Sequence, residues 1–317
     1  MRKYLLKRIL QMILVLFIVS ILSFLIVHFA PGDPINMYVK PDMTEDEVEE
    51  LRTELGLNGT VVEQYFKWLK NILNGNMGIS LINNRPVAKQ IFEKLPSTIL
   101  LMGTSFILSI LISIPLGLIS GYKKNKLADK IISFITYIGI SIPSFWFALV
   151  LIIVFSLKLK ILPTGGMRTV GVNSAIDVVK HLILPSIVLS IGNMAVFTKY
   201  IRANTIRQLE EDYVVTAKSK GITKYKILTN HILKNCLLPI ITIAGMNLAS
   251  LVTGSFIIES VFGWPGMGTL GMSAINSRDY PLIMGFTMFS CVILVVGNFI
   301  ADLLYGVADP RIKQGVK

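Results

Sequence analysis

Six stretches of this 317-residue chain contain no Asp, Glu, Lys or Arg: 9–30, 97–120, 131–157, 182–198, 237–258 and 282–301. Each is long enough, or nearly so, to cross a hydrocarbon core, which takes about 20 apolar residues in a helix. Buried helices of soluble proteins are usually shorter and amphipathic. The pattern therefore predicts an all-α polytopic membrane protein with six transmembrane helices. Composition agrees: 16% of the residues are charged, against about 25% in a soluble domain, too few to cover a globule of this size facing water. The formal net charge of +12 would suggest nucleic-acid binding in a soluble protein, so the location of the charges decides what they mean.

Six spans put both termini on one side. That side carries the N-terminus, 122–130, 199–235 and the C-terminus, with 19 basic and 6 acidic residues; the other side has 12 and 13. Lys and Arg near span ends mark the cytoplasmic side, so both termini are expected in the cytoplasm. The charge surplus is then an orientation signal, and no nucleic-acid partner is expected. Arg2, Lys3, Lys7 and Arg8 precede the first stretch, but its apolar run exceeds a signal-peptide core of about 7 to 15 residues. No small-x-small cleavage site follows before Pro31. It reads as an uncleaved first helix. Cys236 and Cys291 lie within or at the edge of spans and read as apolar fillers.

The segment 31–96 is expected to be a small helical extracytoplasmic insertion. Thr44 to Glu47 has the form of a capping box, Gly56 is placed to close that helix, and Tyr65, Trp68 and Leu69 share one face of a second. Two roles stay open for it: covering the mouth of a pathway or meeting an external partner, and packing on its own spans. The segment 199–235 is more informative. Glu210, Glu211 and Asp212 lie early and Lys218, Lys220 and Gly221 late, the order that suits a helix dipole and a glycine C-cap. Leu209, Tyr213 and Ala217 recur along one face; after Gly221, Thr223 is placed to cap a second helix carrying Tyr225, Leu228 and Ile232. This helix-Gly-helix elbow suits the groove of another protein, or alternatively an anionic lipid surface. In the outer loop, Gly263, Pro265, Gly266 and Gly268 predict a tight non-helical backbone packed on protein or lining a vestibule. Trp264 is alternatively an interfacial anchor.

No phosphate-binding loop, His-Glu-x-x-His, Cys-x-x-Cys or Gly-x-Ser-x-Gly motif occurs. His28, His181 and His231 are far apart, so neither catalytic residues nor a metal site are expected. Apart from His28 the spans hold no ionisable group, which argues against ion-coupled transport. Pro115, Pro143 and Pro185, with Gly117, Gly139 and Gly192, are expected to loosen spans two to four. Together these features describe the membrane half of a machine powered by another subunit.

Asp212-Tyr-Val-Val-Thr-Ala-Lys-Ser-Lys-Gly221, followed by His231-Ile-Leu-Lys-Asn-Cys-Leu-Leu-Pro239, resembles the coupling loop of binding-protein-dependent ABC transporter permeases. The eighteen-residue interval from Gly221 to Pro239 is similar to the peptide and nickel branch. Further landmarks of that branch span nearly the whole chain: Pro31-Gly-Asp-Pro34, Ser141-Ile-Pro-Ser-Phe-Trp146, Leu162-Pro-Thr-Gly-Gly166, Trp264-Pro-Gly-Met-Gly268, Arg278-Asp-Tyr-Pro281 and Asp309-Pro-Arg311.

The resemblance implies a type I importer permease fold and the first of two homologous permeases of a dipeptide or oligopeptide importer. It divides the chain into 1–30, the insertion 31–96, and a core 97–317 with its coupling loop at 204–235. The implied partners are a second permease, two cytoplasmic ATPases that bind ATP and Mg²⁺, an extracytoplasmic binding protein and lipid, in a prokaryotic cytoplasmic membrane. This chain itself would hold no cofactor. The implied ATPase-coupling residues are Asp212, Tyr213, Thr216, Ala217, Lys220 and Gly221; those of the receptor-facing outer loop are Glu259, Trp264, Gly266, Gly268, Arg278 and Asp279. A pair between Glu259 and Arg278 is an equal alternative to a partner contact for Glu259. Val215, Thr216 and Lys234 depart from the wider pattern, which favours Glu, Ala and Arg there, so no acidic contact is implied at 215. A nickel-chelate permease and an ATPase-independent channel are the other readings.

Overall fold

The computed structural model describes residues 2–29, 43–54, 59–236 and 250–308, with side-chain detail for most of them. Among these residues the chain is helical, and its one β-bridge, Ile79 with Pro86, is isolated. The helices are α1 (Arg2–His28), α2 (Glu45–Glu54), α3 (Val61–Leu73), α4 (Val87–Tyr122), α5 (Leu127–Ser141), α6 (Ser144–Leu151), α7 (Ala175–Leu209), α8 (Asp212–Ser219), α9 (Lys224–Lys226), α10 (Ser250–Thr253), α11 (Phe256–Val261), α12 (Met267–Asn276) and α13 (Tyr280–Ala308). Four of the described helices, α1, α4, α7 and α13, contain stretches long and apolar enough to span a membrane.

The expected third span is not one rod. Its halves, Leu127–Ser141 and Ser144–Lys158, meet at 102°, because Pro143 has no N–H to continue the ladder and pushes Ile142 into extended geometry (ψ 127°). Most of the fifth expected span, 237–249 including Pro239, lies outside the described residues, as do Pro31 to Pro34, Gly56 and Asp309 to Arg311.

Spans two and four, where loosening is expected, are not broken. α4 continues through Pro96 and Pro115, and α7 through Pro185. Gly117 and Gly121 do the opposite of loosening: a Cβ at the first would collide with Ile201 and at the second with Thr205. These glycines let α4 and α7 approach closely, as small residues do between membrane helices. The serines of α4 remain satisfied in this seam. Ser105 Oγ donates to the Leu101 carbonyl at 2.6 Å and Ser109 Oγ to that of Ser105 at 3.0 Å.

α2 and α3 stand in the insertion expected outside the membrane, and α3 rests on the chain's own spans. Both carry capping boxes, with Thr44 and Thr60 each accepting from the backbone N–H of the Glu three residues on while that Glu accepts from the Thr N–H. Tyr65, Trp68 and Leu69 of α3 pack with Phe24 of α1 and Met284 of α13, and the Tyr65 hydroxyl meets Ser20 Oγ at 2.8 Å.

Candidate functional site

Two constellations stand at opposite ends of α4 and α7. At the end expected to face the cytoplasm, α8 folds back beneath them. Val214 and Ala217 are buried with Leu118 of α4, Ile201 of α7, and Ile227, Ile232 and Cys236 of the returning arm, and Leu209 and Tyr213 pack against the same cluster. Tyr213 Oη donates to Gln208 Oε1 at 2.7 Å, and Asn235 Nδ2 donates to that same oxygen at 2.9 Å, which closes the arms of the elbow on each other. α8 ends in a Schellman turn: the Gly221 N–H donates to the Lys218 carbonyl at 3.0 Å and the Ile222 N–H to that of Ala217 at 3.2 Å. Gly221 takes φ +72° with open space where a Cβ would stand, so backbone conformation, not room, calls for glycine there.

This geometry corrects the docking surface expected from sequence. The apolar face bearing Leu209, Tyr213 and Ala217 covers the chain's own core and cannot also occupy another protein's groove. The opposite face of α8 is free: Asp212, Val215, Thr216 and Ser219, spaced i, i+3, i+4 and i+7, are exposed, as are Lys220 and Gly221. Thr223 does not cap the second arm through its side chain. That arm begins as α9 and continues as a π-helix over Ile227–Ile232.

At the end expected to face outwards, the loop is folded onto α4 and, against expectation, contains a ten-residue helix, α12. Its amino terminus presents unpaired N–H groups, and two side chains take them. Thr98 Oγ1 accepts from the Met267 N–H at 2.6 Å; Glu259 Oε2 accepts from Gly268 at 2.7 Å and Thr269 at 3.2 Å. Glu259 Oε1 accepts from Thr98 Oγ1 at 3.1 Å and from the Ser255 N–H at 3.4 Å. Glu259 has no exposed surface. It lies beyond the apolar run 237–258, and burial raises its pKa above the ordinary carboxylate value while the donors from Thr269, Thr98, Gly268 and Ser255 work in the other direction. A Cβ at Gly266 or Gly268 would strike its carboxylate.

The expected receptor-facing set is corrected accordingly. Glu259, Trp264, Gly266, Gly268 and Asp279 are buried, and of the six only Arg278 is exposed. Trp264 is not an interfacial anchor: it is fully buried with Leu101 and Leu182, and its indole N–H donates to the Ser97 carbonyl at 2.9 Å. The described partners of Glu259 do not include Arg278, so the alternative pair is not formed. Arg278 instead occupies the left-handed position (φ +53°) of a second Schellman turn, in which the Asp279 N–H donates to the Ala274 carbonyl at 2.9 Å. Asp279 caps α13 by accepting from the Leu282 N–H at 3.3 Å and ties in the 79–86 turn by accepting from Ser80 Oγ at 2.5 Å.

Sequence reasoning missed Asp129 and Arg202. They form a two-pronged ion pair at the elbow end, Nε to Oδ1 at 2.6 Å and Nη2 to Oδ2 at 2.8 Å. Residues 73 positions apart give no local signal of pairing. Beyond them, α5, α6 and α7 enclose a mainly apolar cleft of ≈ 510 Å³, with Gly139, Ser144, Gly192 and Asn193 among its walls.

The comparisons with known proteins agree across the whole length. Residues 113–314 match the family described as binding-protein-dependent transport system inner membrane component, and residues 1–102 match the N-terminal region of such membrane components. The oligopeptide transport system permease protein AppB of Bacillus subtilis is 42% identical over 99% of this chain and 100% of its own length. A putative peptide permease of Brucella ovis is 41% identical over 99% of both chains. The glutathione transport system permease protein GsiC of Escherichia coli is 34% identical, again over 99% of both. Among solved structures, the MetNI methionine ABC transporter in an inward-facing conformation matches with a TM-score of 0.52 and 18% identity, over 69% of this chain and 96% of that one. That likeness extends to the fold: this is the type I importer permease architecture.

Proposed function

Because the chain belongs to the family of binding-protein-dependent transport system inner membrane components, we propose that it is the membrane subunit of an ATP-driven peptide importer, forming half of a pathway shared with a second, homologous permease. The observation that carries this reading is the full-length similarity to permeases named for oligopeptide, peptide and glutathione transport. A binding protein outside the membrane delivers the substrate, and two cytoplasmic ATPases hold ATP and Mg²⁺. Both termini face the cytoplasm. This chain performs no hydrolysis; it is moved.

The elbow is where the movement enters. α8 is seated on the ends of α4 and α7 by Val214 and Ala217, so a push on its exposed face displaces those helix ends as a body, and rearrangements of this kind set the rate of many machines. Asp212, Val215, Thr216, Ser219 and Lys220 are the groups available to an ATPase. Glu259, Trp264 and Asp279 shape the outer mouth from within and are not contact groups for the binding protein in this conformation.

The test is uptake by the complex reconstituted in liposomes with its second permease, ATPases and binding protein. A panel of radiolabelled di- to pentapeptides, glutathione and a nickel chelate is offered with and without ATP. ATP-dependent uptake of peptides is expected. Uptake of the nickel chelate alone would replace the substrate class, and uptake of any of them without ATP would make the chain a channel.

A further inference from the structure

Three segments of chain converge on one carboxylate at the cytoplasmic end. Asp129, in the first turn of α5 and 3% exposed, accepts both prongs of Arg202 from α7. It also accepts from Ser120 Oγ near the end of α4 at 2.6 Å and from the Asn125 N–H of the intervening turn at 2.8 Å. Arg202 keeps 31% of its side chain exposed while the carboxylate is buried, so drawing the guanidinium away leaves a buried charge without its partner, and these helix ends are tied to each other. The neighbour of Arg202, Ile201, belongs to the core that seats Val214 and Ala217 of the elbow. One turn further along α7, Thr205 meets Cys236 of the returning arm, Oγ1 to Sγ at 3.6 Å. At its other end, α5 runs through Ile135, Ile138 and Gly139 in the wall of the cleft into the bend at Pro143.

We propose that Asp129 and Arg202 form the positioning pair that carries movement of the elbow into α5 and so into the wall of the cleft. The proposal rests on the reading of this chain as an ATP-driven import subunit. α5 also meets α7 through Lys199 Nζ over the Tyr137 ring, 3.7 Å from its centroid, where a single flexible cation on a ring face makes no two-pronged bond, and through apolar contacts, which are non-directional. A planar guanidinium fixed on a carboxylate by two parallel bonds resists both sliding and rotation. Lysine would preserve the charge and lose the fork.

In the reconstituted complex, spin labels at Lys218→Cys on the elbow and Ile140→Cys on α5 are each paired with a label at Ile107→Cys on α4. Distances are read before and after trapping with ATP and vanadate. Trapping is expected to shift both distances in the otherwise unaltered complex. With Arg202→Lys the elbow shift is retained, most of the α5 shift is lost, and uptake per ATP hydrolysed falls. Asp129→Asn with Arg202→Gln, which leaves no buried charge behind, is expected to assemble and give the same separation of the two signals. An undiminished α5 shift in both variants overturns the proposal. So does failure of both variants to assemble, since the pair is then a folding lock alone. If ATP moves neither label in the unaltered complex, the import reading itself fails and the proposal goes with it.

Discussion

At the outer end a buried carboxylate, Glu259, is met by neutral donors: three backbone N–H groups and one threonine hydroxyl. At the inner end another, Asp129, is met by a guanidinium as well as by two hydroxyls and an N–H. The outer arrangement spends its polarity on the loop itself and on Ser97 and Thr98 of α4, against which the loop packs, and is fitted around glycines that leave no space for a side chain. It fixes a shape. The inner arrangement binds helix ends to each other and leaves a polar face of α8 uncovered. It can pass on a displacement. Two regions with similar groups thus differ in whether the polar groups are consumed internally, and that difference separates a mould from a lever.

The comparison is most severely challenged at Gly268. Valine there would collide with the Ser255 carbonyl and Glu259, and a loss of about 3 kcal/mol or more is expected from overpacking combined with broken hydrogen bonds; recovery of monodisperse protein in detergent measures it. Glu259→Gln comes next. One amide oxygen cannot replace two carboxylate oxygens, and leaving buried N–H groups unpaired costs about 1 to 3 kcal/mol, read as a lowered unfolding midpoint. Adding Arg278→Glu is expected to restore nothing, because the two residues are not paired.

At the inner end, Gly221→Val is expected to cost about 1 to 2 kcal/mol locally, since a left-handed conformation disfavours a β-branched residue. ATP hydrolysis should persist while uptake falls, and normal transport would remove the coupling role of this turn. Thr216→Trp, on the free face of α8, is expected to weaken ATPase co-purification about tenfold, a change of about 1.4 kcal/mol, without altering the unfolding midpoint. The smallest effect belongs to Arg278→Gly. Its φ of +53° suits glycine, and the unfolding midpoint should stay level or rise, within about 1 kcal/mol.

Much of this was legible in the sequence, because hydropathy and charge report on solvent. The apolar runs, the capping boxes and the turn at Gly221 are local signals. What faces what is not local. Leu209, Tyr213 and Ala217 were recognisable as one face, but their periodicity does not say whether that face meets a partner or the chain itself. Gly117 and Gly121 were visible, yet a glycine reads alike as a weak point or as a notch until the neighbouring helix is in place. Glu259 and Trp264 sat in a loop whose glycines and proline foretold packing on protein or a vestibule without saying which residues would cover it. Their burial depends on Thr98 and Ser97, more than 160 positions away, and no short-range pattern encodes it.

The notches on α4 have a mechanical consequence. Gly117 and Gly121 are four residues apart, and so are Ile201 and Thr205, the side chains they receive. Two such teeth in two such gaps make a detent: a small axial slip drives both teeth into the backbone, and one seat is restored only after a step of about one helical pitch, roughly 5 Å. Graded motion is therefore denied to this seam, and whatever gives way gradually during a transport cycle lies elsewhere, with the 102° bend at Pro143 the nearest place where the chain is already bent.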